Sequence, residues 1–262
     1  MKRIRRLRNQ LSLGRAKFFF RKVQHPIPRG ALVVDIGSGG DPHPRADVLV
    51  DRTTDSGGER TVAFRQSAPT VVADVHALPF RDHAFGYSIC SHLLEHVEDP
   101  KRAAAEISRT SRAGYVETPS ELHEKLMPIG WHRWFVRVDG DRLIFDAKPS
   151  PFLDERLGDY FRSRWARDQA FMGYVWSHVD DLFVRHHWSG QLEVEATDPP
   201  AWGLDDGDGD ELDTVRDSEA KRLMYRALAA VRYRRQRPRN APQWRDPVRR
   251  CRRLSPRGRC SG

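Results

Sequence analysis

The sequence predicts an α/β fold built on a doubly wound, mainly parallel sheet. Short apolar runs, several of which end in an acidic residue, recur along the first half of the chain, with polar or helical segments between them. A short apolar run bounded by turn residues is typical of a strand buried on both faces. Strands that alternate with helices favour parallel pairing through right-handed crossovers. The length of 262 residues suits one such domain with extensions.

Five strands are predicted in this first half, at residues 31–36, 48–51, 70–73, 85–90 and 115–117. Asp99-Pro100 supplies an N-cap and a first-turn proline for a helix over 101–112. The first two strands are separated by the short segment 37–47, which contains two prolines. This is short for a parallel crossover, so we expect an irregular loop there in place of a helix.

Beyond residue 120 the pattern changes to hairpins and helices. Asp139-Gly140 predicts a two-residue turn between strands at 133–138 and 142–145. The aromatic-rich segment 154–181 is predicted to be helical, with its aromatic side chains mainly in the core. Strands at 182–188 and 191–196, joined by Ser189-Gly190, are predicted to form an antiparallel C-terminal hairpin that closes the sheet.

The distribution of charge indicates how the chain is divided. Residues 1–30 hold ten Lys or Arg and no acid, residues 221–262 hold fifteen and one acid, and residues 31–220 hold 20 basic and 35 acidic residues. A strongly polar, charged tail favours disorder. We predict a basic N-terminal helix at 1–30, a domain at 31–200 with halves 31–120 and 121–200, an acidic loop and helix at 201–235, and a basic tail at 236–262.

Cysteine usage and the N-terminus bear on location. The three cysteines show neither disulfide nor metal-ligand spacing, which favours a reducing cytoplasm. Residues 11–20 are interrupted by glycine and charge, so we predict neither a signal peptide nor a spanning helix. Phe18–Phe20 beside cations suit peripheral contact with an anionic membrane at its inner face, or with another polyanion. The alternative is a helix that packs on the body.

A glycine-rich turn follows the first predicted strand. Gly37 and Gly39 let the backbone approach a ligand that a Cβ would exclude. Asp51 ends the next strand, where a carboxylate can accept hydrogen bonds from both hydroxyls of a ribose. Together these residues predict a nucleoside pocket at the carboxyl ends of parallel strands.

Two stretches carry a resemblance to a known family. ALVVDIGSGGDPHPRADVLVD, at 31–51, resembles motif I of the class I S-adenosylmethionine-dependent methyltransferases. TVVADVHALPFRDHAFGYSICSHLLEHVEDP, from residue 70, is similar to the middle of their small-molecule branch called type 11. Gly86 stands where many relatives carry an aspartate. The resemblance implies the Rossmann-like methyltransferase fold and S-adenosylmethionine as the cofactor.

The resemblance also implies roles for particular residues. It places the methionine moiety beside the first strand, the ribose at the second, the adenine at the third and the acceptor near the fourth. The cofactor-binding residues implied are Asp35, Gly37, Gly39, Asp51, Asp74, Val75 and Ser91.

The reaction implied is an in-line displacement at the sulfonium methyl, for which the protein mainly aligns the nucleophile. A hydroxyl acceptor also needs a general base. The candidates are His92, Glu117, His123 and His132. The structural alternatives are that His132 caps the predicted hairpin and that His123 lies on a short exposed helix.

A competing motif concerns metal. His92, Glu95 and His96 reproduce the H-x-x-E-H pattern of inverted zinc proteases. The pattern follows a strand directly and lies inside the methyltransferase-like stretch. We therefore interpret Glu95 and His96 as capping and packing residues, and predict no bound metal.

Three functions stay open. The first is methyl transfer to an O or N nucleophile of a small molecule or of a glycan or lipid-linked precursor. The second is RNA methylation with the basic ends as binding elements, although the acidic body would repel phosphate. The third is a non-catalytic binding protein that keeps the fold. The acceptor and the oligomeric state are not predicted by the sequence.

Overall fold

The structure is a computed structural model that describes residues 18, 20–54, 63–150 and 155–200. Most of the predicted basic N-terminal helix, the acidic loop, the C-terminal helix and the basic tail lie outside the described residues. Of the residues on which the predicted membrane contact depends, Phe18 and Phe20 are described and Phe19 is not, and the Phe18 ring packs against Phe183 with centroids 6.2 Å apart. Among the described residues, no helix combines the length and apolar composition needed to cross a bilayer.

Within the described residues, nine strands form two sheets. In chain order they are β1 (Val33–Ile36), β2 (Val48–Asp51), β3 (Thr70–Val72), β4 (Tyr87–Ser91), β5 (Ala113–Pro119), β6 (Trp134–Asp139), β7 (Arg142–Ala147), β8 (Phe183–Ser189) and β9 (Glu193–Ala196). The larger sheet has the order β3-β2-β1-β4-β5-β8, and the smaller has the order β6-β7-β9. The first five strands are parallel, and β8 runs antiparallel to β5. The predicted mixed α/β fold is confirmed.

Five helices have both ends within the described residues: α1 (Pro100–Thr110), α2 (Glu121–Leu126), α3 (Glu155–Arg167), α4 (Gln169–Ser177) and α5 (Val179–Leu182). Helix α1 begins as predicted, because the Asp99 carboxylate accepts the N–H of Arg102 at 2.9 Å and Pro100 occupies the first turn. It is the one helix between parallel strands in the described part of 33–119. Residues 37–47 form an irregular loop, as predicted.

Alternate residues of the parallel strands face two different layers. Val34 and Ile36 pack with α1 and with residues of the smaller sheet. Val33 faces the other way and packs with Val23 and Ile27, which precede β1. The segment before β1 therefore covers one face of the sheet, while α1 and the smaller sheet cover the other.

A buried arginine holds the loop that replaces the first crossover helix. Arg45 has no exposed surface. It donates to the Asp47 carboxylate at 2.5 Å and to the carbonyl of Ala31 at 2.6 Å. Asp47 also accepts the N–H of Val33 at 2.9 Å. A buried guanidinium is stable only with such partners, so the loop is fixed against the start of β1 without a helix.

The segment that precedes β1 also contacts β5, which lies two strands from β1 in the sheet. Arg21 is buried, and its Nη2 lies 3.1 Å from Glu117 Oε1 on β5. Lys22 Nζ lies 2.6 Å from Asp41 Oδ2 in the 37–47 loop. These ion pairs favour the interpretation in which this segment packs on the body.

The predicted C-terminal hairpin is wrong in its pairing. Strand β8 closes the large sheet, but β9 pairs in parallel with β7 in the smaller sheet. After Gly190, with φ of 80°, the chain crosses α1, where the N–H of Leu192 donates to Ser108 Oγ at 2.8 Å. Leu192 is buried. The chain therefore leaves β8, places Leu192 over α1 and continues into the smaller sheet.

Two predictions about exposure are also corrected. His123 on α2 is buried, with its ring centroid 5.5 Å from that of Phe183, so α2 does not present it to solvent. The helical segment predicted at 154–181 is confirmed as α3, α4 and α5, but Tyr160 and Tyr174 are half exposed. They lie outside the core because each occupies the solvent face of its helix. The turn at Asp139-Gly140 is confirmed between β6 and β7.

Substitution at Gly114 tests how tightly β4, β5 and β8 pack. A Cβ there would clash with Ser88 Oγ and lie 2.7 Å from Trp188 Nε1. We expect Gly114→Ala to lower the free energy of unfolding by about 3 kcal/mol, the scale of overpacking, measured by urea denaturation. Trp188→Phe removes one of the clashing atoms and should recover part of the loss in the double variant. Simple additivity of the two substitutions would contradict this packing.

Candidate active site

The glycine turn after β1 requires glycine at two positions. Gly37 and Gly39 have φ of 73° and 51°, in the left-handed region that other residues avoid. The N–H of Gly37 donates to the carbonyl of Val50 at 2.8 Å. A Cβ at Gly37 would lie 3.0 Å from Leu93, whereas a Cβ at Gly39 would meet only the Gly37 carbonyl oxygen, at 3.9 Å. The turn therefore leaves a cradle beside Gly39.

Asp51 stands next to this cradle at the end of β2. Its Oδ2 accepts the N–H of Gly39 at 2.9 Å, and its Oδ1 faces the N–H of Thr53 at 3.4 Å. An ionised carboxylate has about four acceptor sites. Two backbone bonds thus orient the carboxylate beside the cradle.

Two buried polar groups lie at the same turn. Asp35 is buried and accepts the N–H of His43 at 2.6 Å. Burial disfavours its ionised form and raises the pKa of Asp35 to about 7. Ser38 is also buried, and its Oγ has no hydrogen-bond partner among the described residues. Buried polar groups normally have partners, so this turn suits a polar ligand.

The ends of β3 and β4 complete the edge. Asp74 has a side chain 49% exposed, and its Oδ1 accepts the N–H of His76 at 2.8 Å. Although partial burial opposes ionisation, the hydrogen bonds from His76 lower the pKa of Asp74. The side chain of Val75 is buried in the core, so its backbone is the part that can face a ligand. Ser91 ends β4 opposite Glu117 on β5.

Glu117 is the centre of a buried polar network. It lies 3.1 Å from Arg21 and accepts the hydroxyl of Tyr115 at 2.6 Å. Its Oε1 lies 3.2 Å from His92 Nε2. Burial opposes its ionisation, but the Arg21 guanidinium and the donors from His92 and Tyr115 hold the pKa of Glu117 well below its usual range. A carboxylate with this many donors is a weak base.

His92 connects this network to the surface. It has a positive φ of 55°, and its side chain is 36% exposed. Its two ring nitrogens face the carboxylates of Glu117 at 3.2 Å and Glu95 at 3.4 Å. Burial alone would lower the pKa of His92, but these two carboxylates raise it to about 9. Both ring nitrogens are therefore oriented toward carboxylates, and neither is directed at a position where a substrate could lose a proton to it.

His132 belongs to a second buried cluster. Its Nδ1 lies 2.6 Å from Glu124 Oε1, and Glu124 Oε2 accepts from Lys148 Nζ at 3.0 Å. His132, Glu124 and Lys148 are all buried. The structure thus separates the predicted catalytic residues into two groups: Glu117 with His92, and His132 with His123, both of which lie beside Glu124. Sequence analysis missed Arg21, Glu124 and Lys148, whose partners are too distant in the chain for any spacing pattern to indicate.

The sequence comparison finds one matching family. Residues 48–115 match the sequence model of a family described as methyltransferase domain. This chain contains a methyltransferase domain. The match includes Asp51, Asp74 and Ser91, but the glycine turn precedes it and Glu117 follows it. The cofactor of this family is S-adenosylmethionine. The comparison with curated proteins finds no match.

Solved structures give similarities of low score. An S-adenosylmethionine-dependent methyltransferase from Mesorhizobium loti is 18% identical with a TM-score of 0.32, over 49% of this chain and 62% of that chain. A chain from a Haloferax volcanii complex between the Trm112 methyltransferase activator and a methyltransferase is 16% identical with a TM-score of 0.32, over 45% of this chain and 60% of that chain. A methyltransferase from Methanosarcina mazei is 19% identical with a TM-score of 0.30, over 44% of this chain and 72% of that chain. The chain spans about 60% of the length of the first two of these structures.

The residues at the carboxyl edge of the sheet fit this cofactor. The cradle at Gly39 would be filled by a Cβ, the Asp51 carboxylate is oriented beside it by two backbone N–H groups, and the buried Ser38 hydroxyl has no partner among the described residues. The buried Asp35 carboxyl is suited to a cationic amino group, because a nearby cation favours its ionised form.

Asp35 should make the stability of the ligand-free protein depend on pH. Its folded pKa, about 7, exceeds the ordinary value of 3.8, so its favourable contribution is complete below 3.8 and is lost as pH rises to about 7. Asp35→Asn stays neutral and can still accept from His43. We expect the variant to gain on the wild type between about pH 4 and pH 7, by roughly 2–4 kcal/mol at most.

Urea denaturation at several pH values measures this gain, with Asp146→Asn as the matched control because Asp146 is an exposed carboxylate on β7. A constant difference between Asp35→Asn and wild type across this range would show that Asp35 titrates normally.

Proposed function

We propose that the chain transfers the methyl group of S-adenosylmethionine to an O or N nucleophile of a small molecule, including a glycan or lipid-linked precursor. The observation that carries the proposal is the glycine turn after β1 with the oriented Asp51 carboxylate beside it. Both lie where ligands bind in open α/β sheets, outside the carboxyl ends of the strands.

Each part of the cofactor has residues suited to hold it. Asp51 accepts hydrogen bonds from the ribose hydroxyls, and the turn at Gly37 and Gly39 admits the methionine moiety. Asp35 compensates the charge of the amino group. The adenine lies at Asp74 and the backbone of Val75, and Ser91 lies between cofactor and acceptor. When bound, S-adenosylmethionine supplies a sulfonium methyl group that is already activated toward a nucleophile.

The acceptor is oriented by the groups that follow β4 and β5. His92 is the partly exposed member of the Glu117 network, and its ring is fixed by carboxylates at 3.2 and 3.4 Å. We assign His92 and Glu117 positioning roles, because alignment of the nucleophile supplies much of the rate in a transfer of this kind. His132 stays a candidate base on the acceptor side, although it is buried against Glu124.

The charge of the site supports a small acceptor over RNA. Carboxylates stand at the ends of four parallel strands, at Asp35, Asp51, Asp74 and Glu117. Residues 31–220 carry an excess of acidic over basic side chains. Proteins that bind nucleic acid place basic residues along the phosphate backbone, and this edge has the opposite sign.

Removal of the Asp51 carboxylate tests the cofactor site. Asp51→Ala loses charge-assisted hydrogen bonds worth roughly 1.5–3 kcal/mol, so the dissociation constant for S-adenosylmethionine should rise by about 10- to 150-fold in calorimetry. Asp146→Ala, which removes an exposed carboxylate on β7, should leave it unchanged. Absence of binding by the folded wild-type chain would overturn the proposal.

The acceptor class can be tested with cofactor that is labelled in its methyl group. The wild-type chain is incubated with separate small-molecule, lipid and RNA fractions of a cell extract, and Asp51→Ala measures the background. Label in the small-molecule or lipid fraction supports the proposal, and label confined to RNA establishes the alternative. Cofactor binding without transfer to any fraction would favour the non-catalytic function.

A further inference from the structure

We propose that Glu95, His96 and His132 form a binding site for a divalent transition-metal ion beside the acceptor side of the cleft. The sequence led us to expect no metal, because the H-x-x-E-H pattern of His92, Glu95 and His96 follows a strand directly and lies inside the methyltransferase-like stretch. In the structure residues 94–96 form a turn and not a helix. The third ligand is instead His132, which lies in a distant part of the sequence.

The three side chains offer a suitable set of donor atoms. One ligand atom of each residue lies within 4.8 Å of those of the other two. The rings of His96 and His132 are perpendicular, with centroids 4.6 Å apart. Two imidazoles and a carboxylate suit zinc and its neighbours in the first transition series, whereas magnesium and calcium prefer oxygen ligands alone.

Glu95 supplies the independent observation that indicates a cation. The residue has no exposed surface, and neither carboxylate oxygen accepts a hydrogen bond from the described residues. The nearest nitrogens of His92 and His96 lie 3.4 and 4.0 Å from Oε1. A buried carboxylate without a well-formed hydrogen bond is costly. The His92 ring at 3.4 Å compensates its charge only in part, and a bound cation would complete the compensation.

His132 has the outer contact that metal-binding histidines usually have. Its Nδ1 lies 2.6 Å from Glu124 Oε1, and Lys148 holds the other oxygen of Glu124 at 3.0 Å. A proton on Nδ1 that is donated to Glu124 leaves the lone pair on Nε2. A carboxylate behind a ligating histidine fixes its tautomer and orientation in this way.

Backbone contacts hold the two ligand-bearing segments together. The N–H of Arg133 donates to the carbonyl of Glu95 at 2.8 Å, and Trp134 Nε1 donates to the carbonyl of Val97 at 2.8 Å. Tetrahedral zinc holds its ligand atoms about 3.3 Å apart. Binding therefore requires the ligand atoms to move by about 1 Å through side-chain rotation, without movement of these segments.

The site would have an open coordination position. Three protein ligands leave at least one position for water or another oxygen. His92 lies between this site and Glu117, since it contacts both Glu95 and Glu117. If the proposed methyl transfer holds, an acceptor hydroxyl can occupy that position, where the metal would lower its pKa.

Cobalt and zinc binding to the full-length chain test the site directly. The protein is prepared without a histidine tag and with Cys251→Ser and Cys260→Ser, because thiols also bind these ions. We expect one cobalt ion per chain with the visible absorption of a tetrahedral site. Zinc should displace it in equal amount, and zinc should raise Tm by at least about 3 °C.

The variants distinguish this site from the sequence motif. Glu95→Gln, His96→Asn and His132→Asn should each weaken cobalt binding by about 100-fold or more. His92→Asn should change it by less than about 3-fold, and the exposed His83→Asn should have no effect. Circular dichroism and S-adenosylmethionine calorimetry establish that each variant is folded.

Two results would overturn the proposal. One is a folded wild-type chain that binds S-adenosylmethionine but neither cobalt nor zinc. The other is metal binding that survives in Glu95→Gln and His132→Asn, or that depends on His92 as strongly as on His96. Because metal binding is read by absorbance and stoichiometry, its failure is distinguishable from failure of the proposed methyl transfer.

Discussion

The parallel register of β1 with its two neighbours is the constraint on which the site depends. Asp35 lies opposite Leu49 on β2 and Ile89 on β4, so these strands end at one edge of the sheet. The glycine turn then falls beside Asp51, and the Gly37 and Gly39 N–H groups bond to residues of β2. A slip of one residue would exchange the two faces of a strand and separate the turn from the carboxylate.

The side of the cleft proposed to hold the acceptor contains two buried charge pairs. Arg21 neutralises Glu117, and Lys148 neutralises Glu124. Removal of one partner from such a pair leaves an uncompensated buried charge, which is strongly destabilising. These pairs hold His92 and His132 in fixed orientations on either side of Glu95. The segment before β1 is therefore a structural part of the site, through Arg21.

Local signals in the sequence predicted much of the fold. Apolar runs located β1, β2 and β4, Asp99 marked the start of α1, and Asp139-Gly140 marked the β6–β7 turn, because each feature depends on residues close in the chain. The pairing of β9 could not be predicted in this way. An alternating strand satisfies its hydrogen bonds on either sheet edge. Contacts with distant residues accompany the observed pairing: Leu192 is buried, and Arg142 on β7 pairs with Glu195 on β9. The residues proposed to bind the cofactor could also be predicted, because they lie at the ends of predicted strands. By contrast, the contact of Arg21 with Glu117 and the cluster of Glu95, His96 and His132 arise only when distant segments pack.

The central claim is that the glycine turn and Asp51 hold the nucleoside of the cofactor. A crystal structure with S-adenosylhomocysteine tests it most directly. The account predicts the ribose hydroxyls within hydrogen-bond distance of the Asp51 carboxylate and the amino-acid moiety against Gly39 and Asp35. A nucleoside bound away from the carboxyl ends of β1 and β2, or an Asp51 carboxylate without contact to the ribose, would contradict it.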